Sequence, residues 1–150
     1  MIALHVHGHP APQGSKRHVG RGIMVEASKK VHPWREAVVG EIIRAGYAGT
    51  SIDEPCSVAI TFWMRRPKTH HTANGQIKPT APLVPIARNG GDIDKLVRST
   101  LDALVQGALL YDDSSVVDLT ARKRYATLAQ PPGAVIVIDL YRGDNYGTTD

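Results

Sequence analysis

Gly91-Asp92-Ile93-Asp94-Lys95-Leu96-Val97-Arg98-Ser99-Thr100-Leu101-Asp102-Ala103-Leu104-Val105-Gln106-Gly107 carries the clearest helical pattern in the chain. Ile93, Leu96, Val97, Thr100, Leu101 and Leu104 recur three and four residues apart, the spacing of an amphipathic helix. Ile93, Val97, Leu101 and Leu104 should point into the core, and Gly107 should stop the helix. Asp94, Arg98 and Asp102 fall four residues apart on a different face.

Upstream of this helix, residues 65–91 contain Pro67, Pro79, Pro82, Pro85 and the pair Gly90-Gly91, which marks a long loop. Before it, residues 55–64 alternate Val58, Ile60, Phe62 and Met64 and read as a strand. A first helix is expected from about Ser28, with Pro33 in its first turn and Gly46 near its end. Gly8 to Gly22 reads as an extended basic loop, and Ile2, Leu4 and Val6 mark a strand over 2–7.

Downstream, Asp112-Asp113 precede a strand over 116–125. Pro131-Pro132-Gly133 turns the chain into a last strand, Ala134 to Tyr141, and residues 143–150 read as a frayed tail. The order β-α-β-α-β-β without repeats predicts one α+β domain, with two helices packed against a single mixed sheet.

The chain has 150 residues, with 18 Lys and Arg against 14 Asp and Glu, for a net charge of +4. Such an excess permits a polyanionic partner without requiring one. Basic residues gather at Lys16, Arg17, Arg21, Lys29 and Lys30, and again at Arg65, Arg66, Lys68, Lys78 and Arg88. These segments are expected to contact phosphates, although solubilising charge on loops is an equal reading. Cys56 has no second cysteine to pair with, which fits a free thiol in a reducing compartment. No stretch approaches the roughly 18 apolar residues of a membrane span, and no secretory signal opens the chain. A cytoplasmic location is expected.

The acidic residues carry the chemistry. Asp92 and Asp94 lie at the start of the second helix, and the chain can return Asp113 toward them. On extended backbone two carboxylates one residue apart project to one side. Three converging carboxylates suit one or two Mg²⁺ ions, the arrangement of in-line phosphodiester hydrolysis. Asp before a helix is also a common N-cap, and Asp-Asp is common turn chemistry. Arg98 is placed to clamp a phosphate oxygen, or else to sit in a surface ion-pair ladder, with Asp102 as a structural partner.

The block Gly91-Asp92-Ile93-Asp94-Lys95-Leu96, continuing through Leu101-Asp102-Ala103-Leu104 to Tyr111-Asp112-Asp113-Ser114-Ser115-Val116-Val117, resembles the RusA-type Holliday junction resolvases. Lys123-Arg124 and the Pro-rich opening from Gly8 to Arg17 are similar to that family too. The resemblance implies a homodimeric, Mg²⁺-dependent endonuclease of the kind common in phages, with Mn²⁺ as a substitute ion. Its substrate would be branched DNA, cut by paired symmetric nicks. It implies Asp92, Asp94 and Asp113 as metal-binding catalytic carboxylates, Asp112 as a neighbour, and Arg98 where the family often carries a catalytic Lys. Lys95 stands where the family pattern often has Asn.

Two other readings stay open. His5-Val6-His7, with His9 on the same face, is a His-hydrophobe-His strand like that of nickases using a tyrosine nucleophile, here Tyr47. The chain could also be a basic module that binds nucleic acid without cutting it. His70-His71 reads as exposed loop.

Overall fold

Alternation of buried and exposed side chains builds the sheet. A computed structural model of the chain describes residues 1–13, 20–86 and 90–143, with side chains described outside 20–28. Strand β1 (Ile2–His7) buries Leu4 and Val6, and β2 (Cys56–Met64) buries Cys56, Val58, Ile60, Phe62 and Met64. Strand β4 (Gly133–Leu140) buries Ala134, Ile136 and Ile138, while β3 (Val116–Tyr125) is mostly exposed. A period of two puts each buried set on one face.

The strands lie in the order β1-β4-β2-β3. Strand β4 is antiparallel to both β1 and β2, whereas β2 and β3 are parallel. Parallel neighbours need a crossover, and this one contains helix α2 (Ile93–Gln106). Helix α2 therefore starts beside the C-terminal ends of β2 and β3 and returns to where β3 begins. The mixed sheet and two helices are the expected architecture.

Helix α1 (Gly20–Arg44) buries Trp34, Val38 and Ile42, one turn apart, in a core shared with Leu96, Ala103 and Leu104 of α2. Full burial of a side chain of this size is worth about 1.5–3 kcal/mol. A buried hydrogen bond locks the two helices together: Trp34 Nε1 donates to Thr100 Oγ1 over 3.1 Å. The Thr100 hydroxyl in turn donates to the Leu96 carbonyl at 2.8 Å.

Three local expectations are corrected. Helix α1 begins at Gly20, not near Ser28, so Pro33 lies in its interior, and the helical part carries Arg21, Lys29 and Lys30. Residues 23–30 include Ile23, Met24, Glu26, Ala27 and two lysines, mostly adequate helix formers that the flanking glycines disguise. Asp94 sits on helical backbone, so strand alternation does not govern how the Asp92-Asp94 pair projects. The buried face of α2 is Leu96, Val97, Ser99, Thr100, Ala103 and Leu104, while Ile93 is 37% exposed and Leu101 half-buried. Ser99 can be buried because its hydroxyl donates to the carbonyls of Ala11 (2.7 Å) and Leu96 (3.0 Å).

Strand β4 opens on Gly133, whose φ of +153° and close approach to Val6 leave no room for a side chain: an added Cβ would strike the Val6 carbonyl oxygen. Among the described residues no helix is long and apolar enough to cross a membrane.

Candidate active site

The site residues fall at the two ends of α2. At its N-terminal end, Gly91 takes a φ of +91° and packs so closely on Pro12 that a Cβ there would lie 2.6 Å from Pro12 Cγ. The Gln13 amide donates to the Lys95 carbonyl at 3.1 Å, strapping the segment after β1 across this turn. Lys123 reaches from β3 and donates through Nζ to the Gly91 carbonyl at 3.1 Å.

Asp92 occupies the N-cap position, and its carbonyl accepts from the amides of Lys95 and Leu96. Its carboxylate caps no amide; it pairs with Lys95 Nζ at 3.2 Å and is otherwise exposed. Asp94 is exposed in the first turn, where the positive end of the helix dipole favours a carboxylate.

At the other end, a 3₁₀ turn over Asp113–Ser115 leads into β3. Asp112 performs the turn chemistry. Its Oδ1 accepts from the Ser114 amide at 3.3 Å and its carbonyl from the Ser115 hydroxyl at 2.8 Å. That leaves Asp113 beside an open cleft of about 330 Å³ lined by Arg35, Asp102, Val105, Gln106, Asp112 and Asp113. A hydrogen bond with Asp112, then partial burial, then the charges of Asp112 and Asp102 hold the Asp113 carboxyl above the usual carboxylate range. Asp112 moves the opposite way, lowered chiefly by the Ser114 amide.

Asp113 therefore meets Asp102, not Asp94, within one chain. Eight residues separate Asp94 from Asp102, about 12 Å along a helix axis. Among the described residues no group of three His, Cys, Asp or Glu side chains gathers closely enough to hold a metal ion. Arg98 is exposed between the two ends and makes no ion pair with Asp94 or Asp102. Two further residues join the site: Asp102, expected only as a structural partner, and Arg35, not expected there at all. Asp102 carried a signal, being in phase with Asp94 and Arg98, whereas nothing in the sequence links Arg35 to Asp113.

Of the basic residues, Lys29, Lys30, Arg65, Lys68 and Lys78 are exposed. Arg66 is engaged internally: it donates to the Pro82 carbonyl at 2.8 Å, lies 3.3 Å from His70 Nδ1, and stacks 4.0 Å over the Tyr125 ring. Lys16, Arg17 and Arg88 lie outside the described residues, and the Arg21 side chain does too. Tyr47 packs half-buried against the core.

A family model described as Endodeoxyribonuclease RusA matches residues 7–139, a span holding both ends of α2 and nearly the whole sheet. The chain belongs to the RusA endodeoxyribonuclease family. This family resolves Holliday junctions, so both carboxylate groups, Arg98 and Lys123 lie within a nuclease domain that acts on branched DNA. No curated protein sequence matches the chain.

Proposed function

We propose that the protein is a Mg²⁺-dependent endonuclease that resolves four-way DNA junctions by paired, symmetric nicks. Membership of the RusA family across residues 7–139 carries this reading. The donor chemistry agrees with it, because hard divalent cations prefer carboxylate oxygens. Asp102, Asp112 and Asp113 line one cleft, a gathering of carboxylates whose mutual repulsion a cation would relieve.

Asp92, Asp94 and Asp113 would supply the carboxylates, with Mn²⁺ able to replace Mg²⁺, but they stand at opposite ends of α2 within one chain and could share an ion only across two copies. A divalent ion bound there supplies Lewis acidity, making a water nucleophilic and offsetting charge on the phosphate. The chain's own residues do the rest. Lys123 and the Pro12–Gln13 strap hold the Gly91-Asp92 turn. Asp112 fixes the turn that presents Asp113, and Arg98 neutralises charge developing on the phosphate oxygens. Lys29, Lys30, Arg65, Lys68 and Lys78, with Lys16, Arg17, Arg21 and Arg88, would track the DNA backbone without reading sequence.

The active form would be a homodimer, whose twofold symmetry matches that of the junction. The separation of Asp113 from Asp92 and Asp94 within one chain favours this, since a second copy can bring further carboxylates to one ion.

The test incubates a labelled four-way junction and the equivalent linear duplex with Mg²⁺. Paired nicks in the junction alone are expected, and equal cutting of both would remove the junction specificity. Asp94→Asn should abolish cutting while junction binding survives. Parent-level cutting by Asp94→Asn would overturn the metal-site reading.

A further inference from the structure

We propose that Arg35 is the phosphate-contacting side chain of the cleft beside Asp113, gripping the backbone of the DNA strand presented to that carboxylate. This rests on the nuclease reading above and adds to it a residue from α1, far away in the sequence.

The cleft poses an electrostatic problem for a nucleic acid. Asp102, Asp112 and Asp113 line it together, and Arg35 is the cation among its lining residues. Charges interact more strongly at a protein surface than in bulk water, because the effective dielectric is lower there. A phosphodiester entering beside these carboxylates therefore needs a fixed positive charge close by.

Arg35 is built to provide it. Its neighbour Trp34 is fully buried and hydrogen-bonded to Thr100, which anchors the backbone from which Arg35 projects. The side chain is half-buried, and its Nε is sealed from solvent without a hydrogen-bond partner. Leaving such a donor unpaired is unfavourable. Among the described residues Arg35 forms no ion pair, even though three carboxylates share its cleft. Its terminal Nη groups also make no hydrogen bond or ion pair among the described residues, and their paired N–H donors suit the oxygens of a phosphate.

The alternative is that Arg35 only balances the charge of the three aspartates, and salt dependence separates the two roles. Each phosphate contact contributes about −0.9 to the slope of log affinity against log salt concentration. Arg35→Gln should reduce that slope by about 0.9 per bound chain for a four-way junction without divalent ion. With Mg²⁺ it should lower the cleavage rate about 100-fold, as expected for losing one preorganised donor. Arg44→Gln is the control, because Arg44 is exposed on α1 and paired with Glu41. It should leave slope and rate unchanged.

A parental slope in folded Arg35→Gln overturns the proposal, whatever happens to the rate. If that variant folds poorly by urea denaturation, Arg35→Lys decides instead. It keeps the charge but not the fork, so a parental slope with cleavage at least about tenfold slower supports the contact. Full activity in Arg35→Lys overturns it. No Mg²⁺-dependent cutting by the parent protein would remove the nuclease reading itself, whereas a parental slope in Arg35→Gln removes only the role of Arg35.

Discussion

Lys123 Nζ and the Gly91 carbonyl oxygen are joined at 3.1 Å, so the edge strand β3 holds the turn that presents Asp92. A cation beside a helix N-terminus is unfavourable in itself, and Asp92 and Asp94 offset it. Lys123→Met keeps the aliphatic stem and removes the charged donor. Its expected stability loss is about 1–2 kcal/mol by urea denaturation. Cleavage should fall further than junction binding, because the turn loosens while the phosphate contacts elsewhere remain. Lys123→Arg should recover most of the stability; an unchanged urea midpoint in Lys123→Met would show the bond to be idle.

Trp34→Phe removes the indole donor to Thr100 and leaves a smaller ring in a fully buried site. A loss of about 2–3 kcal/mol is expected, combining the bond with incomplete filling of the space. Thr100 keeps its own bond to Leu96, so Thr100→Val in the Trp34→Phe background should add less than it does alone. Strict additivity in that double-mutant cycle would contradict the coupling of α1 to α2.

Gly133→Ala places a methyl group against the Val6 carbonyl oxygen, where β1 pairs with β4. Backbone offers no soft atom to yield, so a loss of about 3 kcal/mol or more is expected. Thermal unfolding measures this directly. A melting temperature within a few degrees of the parent would mean that the two strands separate more easily than their register suggests.

Cys56 is fully buried, and burial pushes its thiol above the ordinary range, with the Ser115 hydroxyl partly opposing. The folded protein should resist alkylation at pH 8 and react at the rate of unfolding. Because the folded thiol keeps its proton longer than the unfolded one, its contribution to stability is complete below the unfolded value, about 8.5. It is lost as pH rises from there through the folded value. Cys56→Ala should flatten the alkaline fall in urea midpoint; an identical fall in both proteins would assign it to other groups.

Much of the fold was legible because its signals are local. Burial of Val58, Ile60, Phe62 and Met64 follows a period of two visible in the sequence, whereas β4 is apolar at every position from Ala134 to Ile138, and its buried face is Ile136 and Ile138 rather than Val135, Val137 and Leu140. The start of α1 is not legible because glycines at 20 and 22 look like loop, whereas the helix is held further along by Trp34, Val38 and Ile42. The buried face of α2 also turned by part of a step, since hydrogen bonds let Ser99 and Thr100 enter the core while Ile93 stays partly in water.

The site divides in the same way. Residue type and spacing by themselves determined which side chains are acidic, which helix carries Asp92, Asp94 and Arg98, and which family pattern they resemble. Which of them meet depends on how the elements pack. A parallel β2–β3 pair obliges α2 to run back along the sheet, and a helix of 14 residues spans about 21 Å. Asp92 and Asp94 are thereby carried to one end and Asp113 to the other, beside Asp102 and Arg35. Spacing along a chain fixes neighbours within one element, but contacts between elements depend on crossover direction and packing.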